Sequence, residues 1–481
     1  MEEERSEQQP RFSRREGEAR LTTFRARAHQ NVYLPRGEEV VHAIVAFEAE
    51  DIDRGPYDGQ LGADAVEVIM LDCSASMASP MTKLEGARTA TCKAIDKLRD
   101  GSWFAIVAGT SFARLVYPPQ RYEQEASSLS PSLARASATT RQDARESVQR
   151  LAANGGTAMS SWLSLARRLF DTCPDAIHHG ILLADGQNES EEPERLAAEL
   201  RRCAGKFECD CLGVGTDWSR EELQQISDAL LGSTDIIPDP SQMDAVFEAI
   251  TEKAMSKRVG SVALQLLTPV GGGVSFVKQV SPEVLNLNDK ADWRQPYGRD
   301  GEWINVQDVD PGKPLMSTYP TGAWARGEQR EYHICLTVPA QEAGPEHELR
   351  AARVSLLVGG LPAAQVPVRA VWTDDLEKST RINRTVAHYT GQEELATSIE
   401  QGLEARRAGD HRAATQKLGR AAHLAYVSGN EPSTRLLERV VQIEDAERGV
   451  VKLRTDVSKE DEMTLDTRSR RTVRLQNPQR Q

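Results

Sequence analysis

The chain of 481 residues contains no run approaching the ~18 consecutive apolar residues of a membrane span. Its first 20 residues, MEEERSEQQPRFSRREGEAR, are charged and hold no apolar core of a secretory signal. The expectation is a cytoplasmic protein with no membrane insertion. Positive charge is not in excess. Lys plus Arg total 59 against 72 Asp plus Glu, a net charge of -13, so a general grip on phosphate backbones is disfavoured and nucleic acid is not an expected partner. A disulfide framework is also missing. The seven cysteines, at 73, 92, 173, 203, 209, 211 and 335, are odd in number and scattered, as free thiols of a reducing compartment are. No Walker motif occurs, and the turn Gly213-Val214-Gly215-Thr216-Asp217 lacks the full dinucleotide-binding fingerprint and its spacing.

What is present centres on Val66-Glu67-Val68-Ile69-Met70-Leu71-Asp72-Cys73-Ser74-Ala75-Ser76. A short run rich in Val, Ile, Met and Leu, followed at once by small polar residues, reads as a buried parallel strand ending in a ligand-facing loop. Asp72, Ser74 and Ser76 are spaced by two, so an extended turn can aim one carboxylate and two hydroxyls at a common point. Oxygen-only donors of this kind suit a hard cation. An Asp after an apolar strand also begins many phosphoryl-transfer sites, and two later segments decide between these readings. Asn154-Gly155-Gly156-Thr157-Ala158-Met159-Ser160 offers paired glycines, which allow close backbone approach, and a third hydroxyl on Thr157. Gly180-Ile181-Leu182-Leu183-Ala184-Asp185-Gly186 is a second buried strand ending in Asp.

Residues 64–256 alternate short apolar runs with amphipathic stretches, the pattern of a doubly wound α/β domain. Strands are expected at 66–72, 102–108, 112–117, 180–185, 207–213 and 233–237, and helices at 83–99, 141–153, 160–171, 192–204, 219–230 and 241–256. Loops at the carboxyl ends of such strands collect on one edge, where Asp72, Thr157 and Asp185 can meet.

The three segments, in this order and strand context, resemble the metal-ion-dependent adhesion site of the von Willebrand factor type A domain: Asp-x-Ser-x-Ser, a distant Thr and a distant Asp-Gly. The resemblance implies that Ser74 and Ser76 ligate an ion directly, Thr157 directly or through water, and Asp72 and Asp185 largely through waters and hydrogen bonds. It implies Mg²⁺, with Mn²⁺ or Ca²⁺ as alternatives. An Asp or Glu of a protein partner would complete the octahedron at ~2.0–2.1 Å. No His, Cys or Lys of these loops is placed as acid, base or nucleophile, so a non-enzymatic interaction module is expected. The alternative is a haloacid-dehalogenase-like phosphohydrolase, whose pattern requires a second Asp where this chain has Ser74. As a whole the chain resembles bacterial cytosolic type A proteins, mostly scaffolds or assembly factors. Such proteins often work with a partner ATPase, and an assembly subunit for one is a further reading.

Elsewhere the patterns are plainer. Residues 1–20 read as a disordered tail. Strands are expected within 21–63, which ends in a linker, and alternation resumes at Val262, Leu264 and Leu266 and at Tyr332, Ile334, Leu336 and Val338. A β-sandwich formed by 21–63 and 257–373, with the α/β domain inserted in it, is therefore expected, much as in integrin β subunits. Cys203, Cys209 and Cys211 read as core thiols, His178 and His179 as having no metal-site partner nearby, and Trp162, Leu165, Leu169 and Phe170 as core. Residues 374–452 read as a small helical bundle broken at Gly409-Asp410 and Gly429-Asn430, and 453–481 as a mobile tail with clustered Arg468, Arg470, Arg471 and Arg474. In that tail Glu460-Asp461-Glu462-Met463-Thr464-Leu465 resembles sites of bacterial Ser/Thr kinases paired with forkhead-associated domains. Thr464, with Thr467 and Thr472 nearby, is the candidate phosphorylation segment.

Overall fold

The computed structural model describes residues 23–51, 64–119, 132–297, 302–339 and 348–475. The expected tail 1–20 and nearly all of the expected linker lie outside the described residues. At the centre of the α/β unit is the strand Ala65–Asp72, buried at all eight positions. It runs parallel to Trp103–Gly109 on one side and Ile177–Ala184 on the other. With helices on both faces of the sheet, neither side chain set of such a strand meets water, which is why apolar residues fill both faces rather than alternating, with Glu67 the one charged residue before Asp72. Glu208–Val214 and Thr234–Ile237 extend the sheet beyond Ile177–Ala184, and the antiparallel Ala113–Tyr117 closes the other edge.

Helices Thr82–Lys97, Ala138–Gln149 and Met243–Ser256 cover one face, and Met159–Phe170, Pro193–Cys203 and Arg220–Ala229 the other. Met159, Trp162, Leu163, Ala166, Leu169 and Phe170 are buried at helical spacing in the second set, while Leu165 is only partly buried. Cys203, Cys209 and Cys211 are all in this core. Two tryptophans lie flat on glycines at the carboxyl ends of strands. A Cβ on Gly109 would sit 2.2 Å from the Trp162 ring, and one on Gly213 1.9 Å from the Trp218 ring. The two indole N–H groups donate to the carbonyls of Thr110 (2.8 Å) and Gly215 (2.9 Å), fixing the loops beyond those strands.

Two further sheets combine strands from before and after this unit. Thr23–Gln30 and Val40–Asp51 join Gln329–Thr337, Gly273–Ser281 and Leu285–Asn286. Tyr33–Pro35 joins Leu361–Thr373, Glu348–Val358, Lys257–Thr268, Leu315–Ala325, Asp292–Tyr297 and Glu302–Asn305. Both sheets supply one core, with Val45, Phe47, Tyr332 and Ile334 from the first and Leu264, Tyr319, Trp324 and Val354 from the second.

The C-terminal region begins with Arg384–Arg407, His411–Ser428 and Glu431–Val440. Gly409 and Gly429 take left-handed conformations, φ 78° and 65°, and Asp410 and Asn430 cap the next helix through Ala413 N and Ser433 N, so each Gly-Asx pair both ends and starts a helix. Two expectations fail here. The hairpin Val441–Asp445 and Val450–Leu453 interrupts what was read as helix. The supposed mobile tail contains the helix Lys459–Arg468, in which Met463 enters the core of the α/β unit and Leu465 that of the C-terminal helices. Beyond it Arg470 pairs with Asp228 (2.9 Å), Arg471 with Asp235 (2.7 Å), and Thr472 donates to the Val280 carbonyl (2.7 Å). Most of the tail's arginines are paired across the interface, Arg468 and Arg471 sharing Asp235, so its polarity is that of an interface and not of a solvated segment.

Candidate functional site

The carboxyl edge of the central sheet joins Asp72, Ser74, Ser76 and Asp185 in one hydrogen-bonded cluster, and the loop that leads to Thr157 is bonded to it through Asn154 and Gly155. Asp72 is the last residue of its strand and Asp185 the first after Ile177–Ala184; both are fully buried. The Asp72 carboxylate accepts from Ser74 N at 2.8 Å and from Asp185 N at 3.4 Å, tying the two strand ends together. Ser74 Oγ lies 2.8 Å from Ser76 Oγ, and Ser76 Oγ donates to Asp185 at 2.6 Å. Thr157, 5% exposed, stands just ahead of helix Met159–Phe170. The backbone completes the frame: Asn154 N donates to Cys73 O (2.7 Å) and Ala75 N to Gly155 O (2.9 Å). Of the five, only Ser76 is exposed, so the cluster opens to solvent at that hydroxyl.

Several residues that sequence reasoning missed support this arrangement. Ser190 accepts from Thr157 N (3.0 Å) through its hydroxyl and donates its own N–H to Thr157 O (2.9 Å). Asn188 accepts from Met159 N (2.9 Å), and Glu191 from Ser160 N (2.9 Å). Together they satisfy orphan donors at a helix start that has no side-chain cap of its own. A lysine that the sequence patterns did not mark also borders the site. Lys83, in the first turn of Thr82–Lys97, donates to the second oxygen of Asp185 at 3.0 Å. A lysine at a helix start runs against the macrodipole, and that was its only trace in the sequence.

Burial raises the Asp72 carboxyl from 3.8 to about 6, a rise that hydrogen bonds from Ser74 restrain and the charge of Asp185 reinforces. Burial and the adjacent Asp72 push the Cys73 thiol up to about 12, which leaves it no role as a thiolate. The oxygen spacing suits a small divalent cation, because neighbouring ligands at ~2.05 Å in an octahedron lie about 2.9 Å apart. The Ser74–Ser76 separation of 2.8 Å meets that requirement. Met81 and Phe112, 69% and 66% exposed, stand as large apolar side chains on loops of this same edge.

Two family profiles match the chain: the von Willebrand factor type A domain over residues 68–236 and the von Willebrand factor type A C-terminal domain over residues 423–469. A solved structure, "von Willebrand factor type A from Catenulispora acidiphila", is 42% identical, covers 96% of this chain and 99% of its own, and superposes with a TM-score of 0.83. The chain belongs to the von Willebrand factor type A family. Also similar are the ArnB paralog VWA2 from Sulfolobus acidocaldarius, 13% identical over 93% of this chain and 98% of that one with a TM-score of 0.48. Proximal thread matrix protein 1 from the mussel byssus, described with a zinc-occupied MIDAS motif, is 20% identical over 40% of this chain and 46% of its own, with a TM-score of 0.32. No curated protein matches the chain. Type A domains generally mediate metal-dependent protein interactions, and a divalent ion at the adhesion site is part of that role. No helix among the described residues is long and apolar enough to cross a membrane.

Other sequence expectations fare differently. Thr464 and Thr467 are 2% and 9% exposed inside the docked helix, and Thr472 is held by the Val280 and Pro282 carbonyls. Packing thus withdraws from a kinase the hydroxyls that looked accessible. His179, which has no metal-site partner nearby in the sequence, lies within its strand between Glu67 (2.9 Å) and Asp210 (3.1 Å), both buried. Burial alone would lower its imidazole, but the Glu67 charge and the hydrogen bonds with Asp210 and Glu67 raise it well above 6.5. The three sit on separate strands, which hid them from local sequence patterns.

Proposed function

We propose that this type A protein is a non-enzymatic scaffold or assembly factor whose adhesion site binds Mg²⁺ and, through it, an Asp or Glu of a partner protein. Ser74, Ser76 and Thr157 would hold the ion, with Asp72 and Asp185 supplying the balancing charge through waters and hydrogen bonds. The observation that carries this reading is the 2.8 Å pairing of the Ser74 and Ser76 hydroxyls above two buried carboxylates, opening to solvent at Ser76. When bound, the ion supplies Lewis-acid attraction for an incoming carboxylate. The chain's own part is to hold the hydroxyls at ligand spacing, to fix both carboxylates, and to present Met81 and Phe112 as apolar contacts around the acidic residue.

The test is recovery of partners from the native host's lysate on the full chain, with Mg²⁺, with EDTA, and with a Ser74→Ala, Ser76→Ala double variant. Partners retained with Mg²⁺ and lost in both other arms are expected. A partner set indifferent to EDTA and to the double variant would sink the reading. Purified chain should also leave generic phosphoesters intact, and turnover abolished by Asp72→Asn would favour a phosphohydrolase instead.

A further inference from the structure

Lys83 is an unusual neighbour for a cation site. Its ammonium lies 3.0 Å from one oxygen of Asp185 while the other oxygen faces Ser76 at 2.6 Å. One carboxylate is thereby shared between a fixed positive charge and the hydroxyl pair. The lysine side chain is 10% exposed, and its stem runs close to Gly215, where an added Cβ would sit 3.8 Å from Lys83 Cε. Placing an ammonium there incurs desolvation and opposes the dipole of helix Thr82–Lys97. Asp217 stands 3.8 Å from Lys83 but is 70% exposed, and it also faces Lys459 of the docked C-terminal helix at 3.8 Å. Asp185 is thus the buried counter-charge of Lys83, and Asp217 has a cation of its own.

We infer that Lys83 is a positioning residue that loosens the site's hold on the divalent ion and reserves a positive charge for the partner's carboxylate. This rests on the metal reading given above. Asp72, Asp185 and Lys83 together carry one net negative charge. A divalent ion turns that into one net positive charge, and a partner's Asp or Glu brings the sum to zero. Without Lys83 the ion alone would neutralise the two carboxylates, and an incoming carboxylate would meet the ion's Lewis acidity without a net positive charge to add to it. Lys83 therefore acts with opposite sign on the two binding steps: it repels the ion and attracts the ligand that completes it. A unit charge within several ångströms of a divalent ion shifts its affinity on the order of tenfold even when screened as strongly as in water, and by more behind buried groups.

The experiment measures Mn²⁺ binding to the full chain by the electron paramagnetic resonance signal of the free ion, in wild type, Lys83→Gln and Lys83→Arg. Gln keeps a donor for Asp185 and removes the charge; Arg keeps both. The expected result is Mn²⁺ binding about tenfold tighter in Lys83→Gln and within about threefold of wild type in Lys83→Arg. Equal or weaker binding by Lys83→Gln, alongside a wild type that binds, overturns the role of Lys83 and leaves the metal reading intact. Binding by Lys83→Gln alone supports the role of Lys83 and removes the metal reading for the native chain. Binding by none of the three overturns both. Should Lys83→Gln not fold, the arginine arm decides: a departure of more than about tenfold from wild type overturns the inference, and agreement within about threefold supports charge as the operative property.

Discussion

Asp72→Asn should stabilise the metal-free protein. Asp72 is fully buried and its carboxyl is raised from 3.8 to about 6, chiefly by burial, so the folded chain binds the proton more tightly than the unfolded chain. A folded-state value above the unfolded one means that stability falls as pH rises from about 4 to about 6 and stays lower above that range. At ~1.4 kcal/mol per unit, holding Asp72 ionised at pH 7 costs roughly 3 kcal/mol. Asparagine removes that cost. It keeps the bond accepted from Ser74 N and sacrifices the long 3.4 Å bond from Asp185 N, a loss of about 1 kcal/mol. The net gain of about 1–2 kcal/mol raises Tm by about 2–8 °C for a domain of this size. Divalent ions offset that gain. At ten times its dissociation constant Mg²⁺ adds about 1.4 kcal/mol to the wild type and nothing to Asp72→Asn. The assay is calorimetry of both proteins at pH 7 in EDTA and over a Mg²⁺ series, with the EDTA scans repeated at pH 5. Asp72→Asn melting below wild type in EDTA at pH 7 would refute the burial argument, and a Mg²⁺ response equal to that of wild type would refute a part for Asp72 in holding the ion.

Ser74→Ala should lower the EDTA melting temperature by about 2–4 °C, since its buried hydroxyl bonds both Ser76 and the Asp72 carboxylate, and should abolish the Mg²⁺ shift seen by the same calorimetry. Gly109→Ala should destabilise the α/β unit by about 1–3 kcal/mol, read as a lower urea midpoint and altered Trp162 fluorescence, because the new methyl would overlap the indole. His179→Ala should cost about 3–5 kcal/mol by leaving Glu67 and Asp210 facing each other. Because the folded imidazole is raised well above 6.5, the His179 contribution is complete below pH 6.5 and is lost as pH climbs through the higher folded value; urea titrations across that range should show a decline that His179→Ala lacks. Thr464→Glu should destabilise the docked C-terminal helix by several kcal/mol, seen as faster proteolysis after residue 453, whereas a mobile tail would accept the charge without effect.

Much of the α/β unit was legible from sequence because its signals are local. The strand Ala65–Asp72 shows as an apolar run since parallel neighbours and helices bury both its faces, and Asp72, Ser74 and Ser76 sit within five residues of one another. The Gly-Asx pairs at 409–410 and 429–430 marked helix ends for the same reason: the left-handed turn and the cap are satisfied within a few residues.

What depended on the folded chain was the pairing of charges. The residues of 459–474 look solvated because Arg470 and Arg471 carry no sign in the sequence of Asp228 and Asp235, more than two hundred positions away. Helix Lys459–Arg468 is buried between two cores, so it lacks the one-sided stripe that periodicity detects. The same holds at the site. Sequence alone determined which oxygens line the carboxyl edge, since motif and strand ends are local. Only the tertiary structure decided that Lys83 reaches Asp185 and that His179 lies between Glu67 and Asp210, because a charge finds its partner through space and the chain order does not record that distance.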